Sequence, residues 1–431
     1  MALCECKKPE LDLFSKPPIQ TSVKHGQWIE YHPIAALKEA GPYEFKIDGT
    51  GDDYVDPYNT YCYVEAEIVQ ADGRPLPPEA EVAPVNLMLH SLFSQVDVSL
   101  SEKLVTPSKA TYPYRAYLET LLSFGREAKA TQFTCGLWYK DTAGHMDDTD
   151  GTDNKGLVKR RAWAEGSRTI DMIGKLHVDL MFQERLVPQG VTMKVRLVRS
   201  TDAFVLMADG PNPRYKVLVT EIALLVRKLS LSQSMKEIMA RGLIRDTAKY
   251  PIRRIDTHVY SVPQGNLTGN QDNLYFGQLP KRLVIGCVDN DAFNGNYHKN
   301  PFNFKHYDIN FVALDVHGQQ VPGKPLQPNF EKDTYIKSYQ TLFTALNKFG
   351  QDEGNQISRS DYPAGYTLFA FDLSPDLEND GHFNEMKSGP MRLELHFAKP
   401  LPNTINVIVL AEFENTIEIN NSRSVLFDYT T

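Results

Sequence analysis

The stretch that decides the fold is Val85–Val105, VNLMLHSLFSQVDVSLSEKLV, followed by Tyr112–Gly125, YPYRAYLETLLSFG. A second stretch is written in the same grammar: His306–Pro322, HYDINFVALDVHGQQVP, followed by Thr334–Gly350, TYIKSYQTLFTALNKFG. Each reads as strand, tight turn, strand, loop and one short helix. Val96, Val98 and Leu100 alternate with Asp97 and Ser99; Phe311, Ala313 and Asp315 alternate with Val312, Leu314 and Val316. A period of two puts successive side chains on opposite faces of a strand. Ser101-Glu102 and His317-Gly318 fall at the reversals, and Gly318 supplies the positive φ that such turns want. Tyr114, Leu118, Leu121 and Leu122 recur at helical spacing, as do Tyr335, Tyr339, Leu342 and Phe343, so each helix lays one apolar stripe on a sheet. Both helical stretches end in Phe-Gly, which predicts left-handed C-caps at Gly125 and Gly350.

A second pair points the same way. GKLHVDLMFQERLVPQGVTMKVRLV starts at Gly174 and GPMRLELHFAKPLPNTINVIVLAEF at Gly389, each reading as strand, proline-containing turn, strand. Both pairs lie about half the chain apart, so the sequence reads as a tandem duplication of one β-rich domain. In the last segment Ile405, Val407, Val409 and Phe413 share one face while Ile408 and Leu410 occupy the other, the mark of a strand buried on both sides.

Composition agrees with two domains. A chain of 431 residues is too long for one ordinary core, and a hydrophobic content of 42% is ample for globular packing. The net charge of −8 is spread along the chain and argues against a nucleic-acid-binding footprint. The basic clusters Lys159-Arg160-Arg161 and Arg253-Arg254 are short and are expected on solvated faces. The five cysteines, Cys4, Cys6, Cys62, Cys135 and Cys287, are odd in number and widely spaced, so they suggest no disulfide framework and a reducing compartment. Cys4 and Cys6 have no second Cys or His pair at zinc-site spacing. The start MALCECKKPE lacks an apolar signal region and no stretch has the length of a membrane span, so neither secretion nor stable membrane insertion is expected, and the sequons at Asn266 and Asn420 carry no meaning.

In chain order, residues 1–40 read as an extended N-terminal arm whose Leu13, Phe14, Ile19, Trp28 and Ile29 need burial, on their own domain or on a neighbour. Residues 41–231 form the first domain, 232–250 a helical connector around SQSMKEIMARGL, and 251–431 the second domain. Within the first domain is an excursion, YKDTAGHMDDTDGTDNKG, with aspartates at 141, 147, 148, 150 and 153. As a calcium loop it fails: counting from Asp148, position six is Asp153 rather than glycine and position twelve is Lys159 rather than glutamate. A solvated surface loop is expected there.

The sequence offers no catalytic, cofactor-binding or metal-binding constellation. Nucleophile-elbow, phosphate-loop, dinucleotide and zinc-protease patterns are absent. His298 and His306 lie in a loop, and His177 and His396 in alternating strands, where packing or surface roles are expected. Paired carboxylates for glycan hydrolysis leave no local signature, so a tandem β-sandwich carbohydrate-binding protein or glycan-active enzyme stays open as an alternative.

Several blocks carry a specific resemblance: NLMLHSLFSQVDVSL with YPYRAYLETLLSFG, RLVIGCVDNDAFNG with KNPFNFKHYDIN, GYTLFAFDLSPDL, and RLELHFAKPLPNTINVIVLAEFENTIEIN. Together, from about Leu11 to Tyr429, they resemble the hexon-type double jelly-roll major capsid protein of polintons (Mavericks) and the related adintoviruses. The resemblance implies an all-β double jelly roll, two tandem eight-stranded antiparallel sandwiches with short helices in loops. It also implies a non-enzymatic homotrimer that tiles an icosahedral shell with neighbouring capsomers, penton and minor capsid proteins. Such a protein meets encapsidated DNA only indirectly and is assembled inside the host cell, in cytoplasm or nucleus, into a virion capsid. The arm would touch a minor capsid protein or an internal membrane. The chain departs from the family at Ser101-Glu102, where the family has a better turn residue such as Asn. A capsid gene retained by a host for another task is not separable from a viral one on these residues.

Overall fold

The computed structural model describes residues 13–427, apart from 15, 39–40, 50, 151, 276 and 378–381. Its local geometry starts at the two hairpins. Leu100 pairs with Lys103 and Val316 with Gln319, leaving two-residue loops in both. All four loop residues have positive φ: Ser101 44°, Glu102 69°, His317 55° and Gly318 76°. This is the type I′ form, whose twist matches that of the strands, and the first copy adopts it without any glycine.

The strands of the first sandwich are β1 (Val23–Tyr31), β2 (Tyr43–Ile47), β3 (Asp53–Gln70), β4 (Phe93–Leu100), β5 (Lys103–Leu104), β6 (Ile170–Gly174), β7 (Met193–Arg199) and β8 (Tyr215–Leu231). Those of the second are β9 (Ala248–Val262), β10 (Gln271–Tyr275), β11 (Arg282–Asp289), β12 (Ile309–Val316), β13 (Gln319–Leu326), β14 (Leu368–Asp372), β15 (Met391–Phe397) and β16 (Ile405–Ile419). The first sandwich pairs them in the orders β1-β8-β3-β6 and β2-β7-β4-β5; the second repeats both, as β9-β16-β11-β14 and β10-β15-β12-β13. All these pairings are antiparallel. The fold is a double jelly roll, with each strand matched by the one eight places later.

The duplication is therefore real, but one of its expected pairs is displaced. The segment Gly174–Val198 spans the end of β6, a 3-10 turn at Asp179–Phe182, and β7, whereas Gly389–Phe413 spans β15 and β16. By strand order β7 matches β15. The period-two pattern around a proline turn identifies strands without naming their neighbours, and the apparent strand at His177–Leu180 is instead drawn into a contact with the second sandwich.

Two other boundaries move. Val23–Tyr31, expected in the arm, is the edge strand of the first sandwich, paired with β8 from Val23↔Leu231 to Tyr31↔Leu224. The connector helix ends at Arg245 and β9 begins at Ala248.

Helices fill the loops: α1 (Tyr112–Ser123), α2 (Lys155–Ala164), α3 (Gln233–Arg245) and α4 (Ile336–Thr344). Asn154 caps α2 by accepting from Leu157 N, and Ser232 caps α3 by accepting from Met235 N. The expected stripe of α1 is buried at Tyr114, Leu118, Leu121 and Leu122. The expected glycine caps are not formed. Gly125 is extended, with φ −77°, and opens the next short helix. Asn347, with φ 51°, closes α4: Lys348 N donates to Phe343 O and Asn347 N to Thr344 O, the Schellman arrangement, before Gly350 is reached.

One core lies within the second sandwich, around Ile285, Leu314, Leu393 and Val409. The other fills the first sandwich and continues across the seam to Val284, Leu368, Ile408 and Leu410. Those four project from the opposite face of the β9-β16-β11-β14 sheet, so β11 is buried along its whole length, as is the Ile405–Ala411 part of β16.

Candidate assembly surfaces

Asp141 and Arg160 begin the seam between the sandwiches. Arg160 Nη2 donates to Asp141 Oδ1 at 2.6 Å, with neither side chain exposed. Asn154 donates to the same oxygen at 2.9 Å, Asn300 of the second sandwich to Oδ2 at 3.2 Å, and the Tyr366 hydroxyl to the Asp141 carbonyl at 2.7 Å. Asp147 accepts from Asn300 N, Asn303 Nδ2 and Lys305 Nζ at 2.9, 2.9 and 2.7 Å. The aspartate-rich loop is thus not a solvated excursion: two of its five carboxylates bind the sandwiches together. Burial of a charge is tolerated where it is paired and hydrogen-bonded, and both conditions are met here. The expectation of solvated basic clusters is corrected with it. Arg160 is buried, and Arg254 is buried with its guanidinium 4.2 Å from the Phe413 ring centre.

Aromatic rings lie beside this network. Tyr117 stacks on Phe302 at 4.2 Å between ring centres with 1° between planes, and Tyr114 stacks on Phe293 at 5.4 Å. Helix α1 of the first sandwich is thereby packed against loops of the second.

A cleft of about 880 Å³ opens farther along the seam, lined by Leu118, Leu122, Phe182, Ile252, Leu410 and charged groups between them. Its carboxylates are each held by a cation: Asp179 by Arg115 at 2.6 Å, Glu412 by Arg253 and Arg282 at 3.8 Å each, and Glu414 by Lys281 at 2.7 Å. Burial pushes the Asp179 carboxyl above its usual range against the pull of Arg115. Burial also pushes Glu119 up, but Arg115 and the His177 hydrogen bond outweigh it and hold Glu119 below the ordinary value. This is the chemistry of a packed ionic seam. A pair of carboxylates free to act as acid and base is not formed by these groups.

His177 lies between β6 and the 3-10 turn rather than in a strand, with its Nδ1 2.5 Å from Glu119 Oε2 and its ring edge-on to His90 at 4.8 Å. His306 stacks on Phe330, His396 stacks on Phe311 from within β15, and His298 is exposed in its loop. Among the described residues two groups could offer metal ligands by distance, Glu30-His32-Glu221 and His145-Asp148-Asp153. Each supplies three ligand atoms at a largely exposed position, short of the six to eight oxygens that calcium takes. Burial drives the Cys62 and Cys287 thiols up to about 12, Cys135 is exposed, and Cys4 and Cys6 lie outside the described residues.

Other surfaces are left apolar and uncovered. Leu13, Phe14 and Ile19 of the arm are not packed on this chain; Phe14 is 95% exposed. Strand β1 has no buried residue, and Trp28 is 47% exposed over Tyr61 and Arg227. Helix α3 buries none of its residues and presents Ile238, Met239 and Ile244 to solvent. Phe383 and Met386, between β14 and β15, are also exposed. Among the described residues no helix is long and apolar enough to cross a membrane. The sequence pattern missed β1, whose VKHGQWIEY has too little alternation to read as a strand. It also missed Asp141 and Asp147, whose partners on the second sandwich, Asn300, Asn303, Lys305 and Tyr366, lie more than 150 residues away.

No family model matches the chain. An uncharacterized protein of Caenorhabditis elegans, F54H12.2, is 25% identical over 427 residues, covering 96% of this chain and 99% of that protein. Among solved structures, a chain of the Sputnik virophage is similar with a TM-score of 0.65 at 12% identity, over 100% of this chain and 94% of its own. A chain of the PBCV-1 virus capsid gives 0.59 at 10% identity over 97% and 100%, and the mavirus major capsid protein 0.52 at 12% over 98% and 97%. At these identities the likeness concerns the fold, and the neighbours carry the double jelly roll described above.

Proposed function

We propose that this chain is the structural major capsid protein of an icosahedral viral or virus-like shell, acting as a trimer that packs into a hexagonal lattice. The observation that carries the reading is the fusion of two sandwiches of identical strand order through a buried seam. Such a subunit presents similar lobes twice, so three copies offer six, and cyclic association of identical chains can close them into a ring. The seam's charges are committed to one another, which fits a protein that works by surface complementarity and carries no catalytic role. The fold neighbours named as capsid and major capsid protein support the same reading. The attribution to the polinton and adintovirus lineage rests on the sequence blocks quoted above.

Within this reading the chain divides into an arm before Val23, a first domain to Leu231, a connector carrying α3, and a second domain from Ala248. Neighbouring capsomers, penton and minor capsid proteins are the partners, DNA is met only indirectly, and the place of work is the virion capsid, assembled inside the host cell. Negative-stain imaging of the purified chain tests it: particles of hexagonal outline, alone or joined into sheets and shells, are expected. Particles of irregular outline at every concentration would sink it.

A further inference from the structure

A cavity of about 190 Å³ opens at the start of α2, and four lysines line it: Lys129, Lys140, Lys155 and Lys159. No aspartate or glutamate shares the lining. Lys129 is buried, Lys140 half-buried, and Lys155 and Lys159 exposed, so the charges run from floor to mouth. Lys155 and Lys159 stand one helical turn apart, where like charges repel. Among the described residues only Lys140 of the four meets a carboxylate, that of Asp361 at 2.6 Å. Lys129 has three protons to donate and uses two, on Leu121 O and Asn355 O. Trp138, buried in the same wall, has an indole N–H that donates to no group among the described residues. Burial, reinforced by the positive charges of Lys140 and Lys348, pushes the Lys129 pKa down to about 7. Cations gathered with so little counter-charge focus a positive potential that draws an anion.

We propose that this cavity binds a small phosphate-type oxyanion, with Lys129 at its floor and Lys155 and Lys159 at its mouth. Lysine ammonium groups bind phosphate as point charges. The volume lies below the roughly 300–1,000 Å³ of pockets for drug-sized ligands, which suits inorganic phosphate or pyrophosphate. A backbone phosphate of a nucleic acid carries a sugar on either side and would not bring its oxygens down to buried Lys129. The anion would also act on the seam. Lys129 and Lys140 each donate to a carbonyl of the second sandwich, Asn355 O at 2.9 Å and Gln356 O at 2.6 Å. An anion beside them favours both ammonium forms and offsets their mutual repulsion, so it holds the two sandwiches together more firmly. This site goes beyond the shell reading and does not depend on the number of copies.

The test is calorimetric titration of the full chain with sodium pyrophosphate, at constant ionic strength in a phosphate-free buffer. Wild type is compared with Lys155→Gln combined with Lys159→Gln, with Lys129→Met, and with Lys324→Gln, an exposed lysine of β13 outside the cavity. One saturable site is expected in wild type. The paired substitutions are at exposed positions and should leave the thermal midpoint within a few degrees of wild type. They are expected to raise the half-saturation concentration at least about tenfold, the effect of losing one hydrogen bond to a charged group. Lys129→Met should weaken binding likewise, and Lys324→Gln should keep it. A wild type with no saturable binding overturns the proposal, as does equal binding by wild type and the paired variant. A single-stranded DNA oligonucleotide that binds more tightly than pyrophosphate, with the same dependence on Lys155 and Lys159, assigns these lysines to nucleic acid and overturns it too. Each of these results leaves the shell reading to its own test.

Discussion

Arg160 and Asp141 meet at 2.6 Å with both side chains withdrawn from solvent, and Asn300 of the opposite sandwich reaches the same carboxylate. Removing one member leaves the other charged, buried and without its partner. Arg160→Met is expected to cost about 3–5 kcal/mol, as for other broken buried pairs, measured as a fall in the urea midpoint. A smaller loss is expected for Arg160→Met combined with Asp141→Leu, since no charge then remains unpaired.

Phe302 lies flat against Tyr117 across the seam. Phe302→Ala removes a fully buried ring and should cost about 3–5 kcal/mol. Because the ring belongs to the second sandwich and its partner to the first, limited proteolysis should cut this variant near the α3 connector sooner than wild type. Equal cutting rates would show that the stack does not hold the sandwiches together.

Ser101 and Glu102 occupy positive φ without glycine, whereas the matching turn uses His317-Gly318. A non-glycine residue in the left-handed region costs about 1–2 kcal/mol. Replacing the pair by Asn-Gly should raise stability by about 1 kcal/mol, after loss of the exposed Glu102–Lys194 ion pair, worth about 0.2–1 kcal/mol, is subtracted. A lower thermal midpoint would contradict the turn geometry.

Lys129 is buried, with its ammonium donating to the carbonyls of Leu121 and Asn355 across the seam. Burial, reinforced by Lys140 and Lys348, pushes its pKa down from 10.5 to about 7. Between those values the unfolded chain binds more protons than the folded one, so this group's contribution to stability rises with pH. It is fully present above 10.5 and is lost as pH falls through about 7. Between pH 7 and 9 the stability of wild type should therefore rise relative to Lys129→Met, as read from parallel urea titrations. A constant difference would contradict the shift.

Much of the fold was legible because its signals are local. Val96, Val98 and Leu100 state a strand, and the matching hairpins state a repeat. What stayed hidden depends on distant residues. Asp141 and Asp147 look like members of a polar loop until Arg160, Asn300 and Lys305 are placed beside them. Gly125 looks like a cap because Phe-Gly follows a helix, but a second helix starts there, while the cap of α4 is Asn347. β1 carries little alternation, since no face of it is covered within the chain. The exposed apolar residues of α3 were readable from their helical pattern, whereas the exposed face of β1 was not, because its place at a sheet edge shows only once its pairing with β8 is known.

The central claim is most directly tested by the mass of the purified full chain in solution, measured by light scattering. The account predicts a species of three times 48.8 kDa. A mass of 48.8 kDa persisting at the highest attainable concentration would contradict it.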